Sequence, residues 1–412
     1  MKSYKHQQII IDEDPKQTLF ALGTGSGKSY IALSLAKGKT LIICPKTLKE
    51  DGAWGRQLSK MDKVLDITVF SKETFRRDAH LLPRFDTVIV DEADTCLGAT
   101  PNLHWVKKQA VVKTSQLYDE LSSFVKRTNP ERLYLLTATI TRSPMTVWAA
   151  GTLLGRNWDF YKWRNTFYFR LNMPGREVWR AKDDSATKDR LAKAVHSIGY
   201  TGRLEDYFDV PLQTFKTVFV DLSTSQKERI KELRFEYPDP LVLLGKKHQV
   251  ENGILIGDEF RKTEYFDNEK IEKIKDYALE FPKMIIFAKF IAQIEQIEKA
   301  MKDLGKKTFV LTGQVKGRGE IIAEANKCED YVFICQSQIS AGWELSSCPV
   351  MIFASLSYSI TDYLQSVGRI QRANNLKKNL YIHLVARGGI DTAVFNAIET
   401  KKDFNERIFL DL

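Results

Sequence analysis

Nine short runs of aliphatic and β-branched residues, each five or six long, leave this chain little choice of fold. In the first half they are "TLFAL" (18–22), "TLIIC" (40–44), "DTVIV" (86–90) and "RLYLLT" (132–137). In the second half they are "KMIIFA" (283–288), "TFVLT" (308–312), "YVFIC" (331–335), "VMIFAS" (350–355) and "LYIHLV" (380–385). Near-continuous apolar runs of this length read as strands buried on both faces of a parallel sheet. Helical patterns lie between them. In "IAQIEQIEKAMKDLG", Ile291, Ile294, Ile297, Met301 and Leu304 form one stripe that stops at Gly305. Two successive sets of βα units predict two α/β domains. The first spans 1–215, with a core over about 1–150 and an elaboration over about 151–215; the second spans 216–412. A connector is expected near "VPLQTFKTVFVDLSTSQKERIKEL".

The first run leads into "LFALGTGSGKSYIAL" (19–33), a strand, a glycine-rich turn and a helix. Gly23, Gly25 and Gly27, with Thr24 and Ser26 between them, let the backbone turn tightly and aim its N–H groups at phosphate oxygens. The following helix adds its N-terminal dipole. Lys28 would reach the β- and γ-phosphates, and the Ser29 hydroxyl would bind Mg²⁺. Strict spacing for such a loop wants glycine at position 22, where this chain has Leu22. "FDTVIVDEADTCL" (85–97) supplies acids at the carboxyl end of a strand, where ligands of open α/β sheets bind. Asp91 would hold Mg²⁺ through water, and Glu92 would polarise the water that attacks the γ-phosphorus. ATP hydrolysis is the chemistry these residues imply.

Near the other end, "DYLQSVGRIQR" (362–372) places Gln365, Arg369 and Arg372 at i, i+4 and i+7. On a helix they share one face. One amide and two guanidiniums make poor core material, so an anion is expected opposite them, and little contribution to the fold of either domain.

The order of these pieces resembles the superfamily 2 helicases, in particular their Swi/Snf-type branch. "YKHQQ" is similar to the N-terminal motif whose glutamine reads adenine, which implies Gln7, or its neighbour Gln8. "LIICPKTLKEDGAWGRQ" (41–57) resembles motif Ia, in which Lys46 would face a nucleic-acid backbone. "DEAD" (91–94) is motif II, and "LLTATITRSPMTVWAAGTLL" (135–154) is similar to motif III, with Thr137 and Thr139 coupling hydrolysis to movement. "IIFAKF" looks like motif IV, and the "LTGQVKGRGE" loop after it would put Thr312 and Gly313 on the backbone. "SQISAGWELSS" (337–347) resembles motif V, which implies a strand contact at Ser337 and coupling through Gly342 and Glu344. The branch more often has Ile-Asp where this chain has Trp343-Glu344. "DYLQSVGRIQR" is motif VI: Arg369 and Arg372 would act as arginine fingers, and Gln365 would register the nucleotide or the attacking water. "GGIDTAVFNAIETKKDF" (388–404) resembles the element that follows motif VI in this branch. The resemblance spans nearly the whole chain and implies two tandem RecA-like domains using ATP and Mg²⁺. The literal "DEAD" does not point to the RNA-helicase family of that name, because the text around motif III and after motif VI matches the other branch better. In compactness, and in lacking long flanking domains, the chain is similar to phage-encoded members.

A net charge of +10 permits a polyanionic partner. Residues 156–182 hold seven Lys/Arg, two acids and eight aromatics. The cations would neutralise phosphates, with Arg164 and Arg170 foremost, while the rings either stack on bases or pack the elaboration onto the first domain. A smaller basic stretch, "HWVKKQAVVKTSQ" (104–116), is a second strand contact or a solvated loop. Five cysteines without a C-x-x-C pair argue against a disulfide framework or a zinc site, and Cys44, Cys335 and Cys348 read as small buried thiols. With no apolar run near ~18 residues and no secretory leader, a cytoplasmic protein is expected, in the host cytoplasm if phage-encoded. The resemblance implies an ATP-dependent DNA helicase or double-strand translocase in replication, recombination or repair, with branch migration as one output. Duplex or branched DNA, and phage replication or recombination proteins, would be its partners. The alternatives are an RNA-dependent ATPase, the motor of a restriction system, and a binding module with a relic nucleotide site.

Overall fold

The computed structural model describes residues 3–106, 109–138, 140, 143–173, 176–208, 213–259, 261–315, 317–339, 343, 345, 347–370 and 378–400. The chain divides into two compact units, Met1–Phe208 and Asp209–Leu412.

The first unit is built on β1 (Gln17–Leu22), β2 (Lys39–Cys44), β3 (Asp66–Ser71), β4 (Thr87–Val90), the hairpin β5 (Ala99–Val106) and β6 (Gln109–Thr114), β7 (Arg132–Thr137), the hairpin β8 (Tyr168–Met173) and β9 (Arg176–Ala181), and β10 (Gly199–Gly202). Its helices are α1 (Lys5–Asp12), α2 (Lys28–Leu35), α3 (Lys46–Glu50), α4 (Ala53–Leu58), α5 (Lys72–Asp78), α6 (Gln116–Thr128), α7 (Pro144–Leu153), α8 (Phe160–Phe167) and α9 (Ser185–His196). Six strands form one parallel sheet in the order β10-β1-β7-β4-β2-β3.

The continuous apolar runs follow from this layering. Successive residues of a strand face opposite sides, and both sides are covered. Leu19, Leu41, Ile43, Val88, Val90, Leu133 and Leu135 fill one layer. Phe20, Leu22, Ile42, Cys44, Ile89, Tyr134 and Leu136 fill the other. Side chains capping the helix starts fix several helix boundaries, as Ser71 does at Thr74 N, Ser115 at Tyr118 N and Asp159 at Lys162 N.

The second unit holds β11 (Gln213–Val220), the short pair β12 (Ile254–Leu255) and β13 (Glu264–Tyr265), β14 (Lys283–Ala288), β15 (Thr308–Leu311), β16 (Tyr331–Gln336), β17 (Val350–Phe353) and β18 (Asn379–Ala386). Its helices are α10 (Thr224–Glu236), α11 (Pro240–Glu251), α12 (Glu269–Glu280), α13 (Ile291–Asp303), α14 (Arg318–Ala325), α15 (Ile360–Val367) and α16 (Ile390–Glu399). Its parallel sheet runs β11-β18-β17-β14-β16-β15. Again two layers cover it, one through Ile285, Phe287, Phe333 and Met351, the other through Met284, Ile286, Val332 and Ile352. These are two tandem RecA-like domains, with α8, the β8–β9 hairpin and α9 as an aromatic, basic elaboration of the first.

All nine apolar runs are strands. The sheets also contain β3, β10 and β11, which those runs do not include; β11 falls within the segment read as a connector. In β10 the backbone is so close to β1 that a Cβ on Gly199 would stand 1.9 Å from the Leu19 carbonyl oxygen. The helix 291–303 ends as expected, with Gly305 at φ +77°. All five cysteines are free, four of them buried. Among the described residues, no helix is long and apolar enough to cross a membrane.

Candidate nucleotide site

β1 ends at Leu22, and α2 begins at Lys28. Between them Gly25 and Gly27 adopt left-handed φ of 79° and 85°. A Cβ on Gly27 would lie 2.2 Å from Gln7 Nε2, so both conformation and space demand glycine there. The Ser26 hydroxyl is turned inward and donates to Gly23 O at 2.7 Å. Lys28 curls back over the loop, its Nζ donating to Leu22 O at 2.8 Å and Gly23 O at 3.2 Å. The departure at position 22 is harmless, because Leu22 is still strand and its side chain fills the core. The close approach falls one residue later: a Cβ on Gly23 would meet Leu204 N at 3.2 Å. At the far end of α2, Lys63 Nζ donates to the carbonyls of Leu33, Ser34 and Ala36. An ammonium there complements the negative end of the helix dipole, whose positive end faces the loop.

α1 lies against this loop through Gln7. Its buried amide donates to Ser26 O at 3.0 Å and accepts from Tyr4 N at 3.0 Å. Gln8 points elsewhere, to Asp12 Oδ1 at 2.7 Å. His6 was not singled out from sequence. Its Nε2 also reaches Ser26 O, at 3.0 Å, and its ring stacks on Tyr207 at 4.1 Å, with Phe208 edge-on.

Asp91 and Glu92 follow β4 at the same carboxyl edge. Asp91 N donates to Ile43 O at 2.8 Å, and Asp91 Oδ1 accepts from Glu92 N at 2.9 Å. Burial raises the Asp91 carboxyl, against the pull of Lys72 and Lys28. Burial, reinforced by the charge of Asp91, pushes Glu92 up to about 7, with Lys28 opposing. Glu92 is held at φ 46°, a left-handed conformation uncommon outside glycine. Thr137, at the end of the neighbouring β7, donates to Asp94 Oδ1 at 2.9 Å and so ties motif III to motif II. The donor set fits a nucleotide and its metal: N–H groups of a glycine loop, an ammonium, the Ser29 hydroxyl in the first turn of α2, the buried Asp91 carboxylate and the half-buried Glu92. Among the described residues no cluster of His, Cys, Asp and Glu would hold a metal without such a ligand.

In the second unit, Gln365 lies on α15, but this helix ends at Val367 with Gly368 as its cap instead of continuing through Arg369. Arg369 follows in a turn and is only 8% exposed. Its Nε donates to Gln365 O at 2.9 Å and its Nη1 to Trp343 O at 2.7 Å, with the guanidinium 6.0 Å from the Trp343 ring. The expectation that Arg369 contributes little to the fold is therefore corrected: it is buried and bonded to the main chain at Trp343 and Leu345. Arg372, Thr139, Gly342 and Glu344 lie outside the described residues.

Thr312, Gly313 and Ser337 come together at the carboxyl ends of neighbouring β15 and β16. Gly313 N donates to Gln336 Oε1 at 3.1 Å, and the buried Ser337 Oγ has no hydrogen-bond partner among the described residues. Lys46 opens α3 after β2, exposed and 3.6 Å from Glu50 Oε1. Arg164 sits inside the elaboration, its guanidinium 4.0 Å over Trp179 and donating to Pro101 O at 3.3 Å. Arg170 is exposed on β8. The rings of the elaboration mostly pack: Trp158 stacks on Trp163 at 4.6 Å, Trp163 Nε1 donates to Pro144 O, and Phe160, Trp163, Phe167 and Tyr168 are buried.

Residues 269–374 match the family of helicase conserved C-terminal domains. No curated protein matches the chain. Among solved structures, the Sulfolobus solfataricus SWI2/SNF2 ATPase core in complex with dsDNA aligns at 16% identity over 97% of this chain and 91% of its own, with a TM-score of 0.41. The Pyrococcus furiosus Hef helicase domain aligns at 15% identity over 96% of this chain and 98% of its own, with a TM-score of 0.54. The chain thus shares its fold with the Hef helicase domain, and its second unit carries a stretch similar to the helicase conserved C-terminal domain.

Proposed function

We propose that the protein is an ATP hydrolase that moves on DNA. The observation that carries this is the meeting of Lys28, Asp91 and Glu92 at one sheet edge beside a glycine loop, in a chain with a helicase C-terminal match. ATP is the substrate. The loop amides and Lys28 bind its phosphates, and Gln7, fixed to Ser26, stands ready for the adenine. Mg²⁺, held by Ser29 and Asp91, would supply charge neutralisation on the phosphate oxygens. Glu92 takes the proton of the attacking water. A carboxyl raised toward neutrality suits that task, since proton transfer is most efficient near the operating pH. Arg372 supplies positive charge to the transition state, and such fingers contribute about 10³–10⁵-fold. Arg369 acts through its bond to the Trp343 carbonyl.

Movement follows if ATP and its products favour different arrangements of the two domains, since a ligand shifts an equilibrium only by differential affinity. Contacts to the strand come from Lys46, Thr312, Gly313 and Ser337, and from the elaborated first domain. Residues 99–114, 160–167 and 168–181 carry net charges of +3, +2 and +2, most of the chain's +10. DNA is favoured over RNA by the Swi/Snf-type text around motifs III and VI. That text also suggests duplex or branched substrates, in replication, recombination or repair and with branch migration as an output, as in the phage-encoded proteins the chain resembles.

The test is ATPase rate with and without duplex, forked and single-stranded DNA, and with RNA of equal length. We expect stimulation by DNA, and loss of turnover in Lys28→Ala and Glu92→Gln. No stimulation by any DNA, or stronger stimulation by RNA, would remove the DNA motor reading.

A further inference from the structure

We propose that Lys72, a residue outside the motifs above, is a positioning residue for hydrolysis: its ammonium locks the main chain of Glu92 in the left-handed conformation that sets the direction of the carboxylate. The inference rests on the ATP-hydrolysis reading and deepens it.

Lys72 opens α5, immediately after the edge strand β3, and is 8% exposed. Its Nζ donates to Glu92 O at 2.8 Å and to Thr95 Oγ1. Thr95 Oγ1 in turn donates to Glu92 O at 2.9 Å. Thr95 N donates to it as well, at 3.2 Å. One carbonyl thus takes three donors, and it belongs to a non-glycine residue at φ 46°, ψ 52°. Such a conformation is strained and persists only where the surroundings impose it. Rotating Glu92 back to ordinary helical angles would swing this carbonyl away from the Lys72 ammonium and from Thr95, and redirect the side chain.

The charge balance points the same way. A buried ammonium is expensive unless compensated. Among the described residues Lys72 makes no ion pair; its ammonium bonds a carbonyl and a hydroxyl and lies beside the Cys96 thiol. The anions that offset it are Asp91 and Glu92 themselves, on both of which its field is felt. A lysine serving only to pack α5 would need neither the carbonyl nor this address. The signal is invisible in sequence because the two residues are 20 positions apart, on separate crossovers.

The experiment compares Lys72→Met, Lys72→Arg and Thr95→Val with wild type and Glu92→Gln. ATPase turnover, the dissociation constant for a fluorescent ATP analogue and the melting temperature are measured for each. Misplacing a reacting group by about 1 Å costs up to ~100-fold, so Lys72→Met should lose about 10–100-fold in kcat with nucleotide affinity within about twofold. Lys72→Arg should recover most of that loss, whereas Glu92→Gln should lose turnover altogether. Should Lys72→Met fail to fold, Thr95→Val carries the test, with about a threefold to tenfold loss in kcat alone. Wild-type kcat in the folded variants, or parallel losses in affinity and kcat, would overturn the assignment. Wild type without ATPase would instead overturn the hydrolase reading, and Lys72 with it.

Discussion

Arg369 shows how far a residue's environment can depart from what its spacing suggests. Its spacing from Gln365 suggests a bare cationic face, yet its guanidinium is buried under Trp343 with two carbonyls as acceptors. Truncation would strand those carbonyls, so Arg369→Ala should destabilise the second unit by about 2–4 kcal/mol, read as a lower denaturant midpoint. Arg372→Ala should leave stability and nucleotide binding near wild type while losing most of kcat; unchanged hydrolysis in that variant would remove the finger assignment. At the nucleotide site, the residues legible in sequence were those within one local motif. Gly25, Gly27, Lys28, Asp91 and Glu92 announce themselves because phosphate chemistry constrains neighbours in the chain. His6, Tyr207 and Lys72 do not, because their partners are 20 or more positions away and nothing local requires a histidine, a tyrosine or a lysine there.

Elements were legible in proportion to how deeply they are buried. The nine apolar runs are all strands, eight of them inside a sheet and one, β15, at an edge. The three sheet strands outside those runs, β3, β10 and β11, are the other edges, where one flank is open and polar residues are tolerated. β11, "QTFKTVFV", is mostly half-covered or exposed and reads as a connector for that reason. In the elaboration, sequence gave Arg164 and Arg170 the same role, while the structure gives them different surroundings. Arg164 joins α8 to both hairpins through Trp179 and Pro101, whereas Arg170 is exposed on its strand. Arg164→Ala should therefore lower the melting temperature of the first unit. Arg170→Ala should leave it unchanged, weaken DNA binding and reduce the dependence of log affinity on log salt by about one phosphate contact. A melting loss at Arg170 with unaltered salt dependence would reverse this division.

For the whole molecule, the second unit is closed around buried polar groups as well as apolar ones. Lys270 Nζ donates to Asp391 Oδ2 and Asn252 Oδ1, each at 2.7 Å, and Asp391 Oδ1 meets His248 Nε2 at 3.3 Å, linking α11, α12 and α16. Burial holds His248, and separately His383 on β18, down to about 4. Each histidine takes up a proton near pH 6.5 when unfolded but refuses it when folded until about pH 4. The stability it confers is present above 6.5 and lost as pH falls through that window. Glu251, pushed up to about 7 by burial, works in the opposite direction. A paired comparison isolates one group: His383→Phe keeps the stack on Phe353 and cannot protonate. Relative to wild type it should gain up to about 3 kcal/mol between pH 6.5 and 4, read from unfolding curves at each pH. Parallel curves would mean that His383 protonates freely in the folded state. The strand order also bears on how the protein is made. β11, the first strand of the second unit, bonds to β18, the last. A ribosome adding about 5–20 residues per second takes on the order of ten to thirty seconds to cover the interval between them. Throughout that time the nascent strand with Phe215 and Phe219 has no neighbour to zip onto, which marks the half-made second unit as the stage of synthesis where a chaperone would have most to shield.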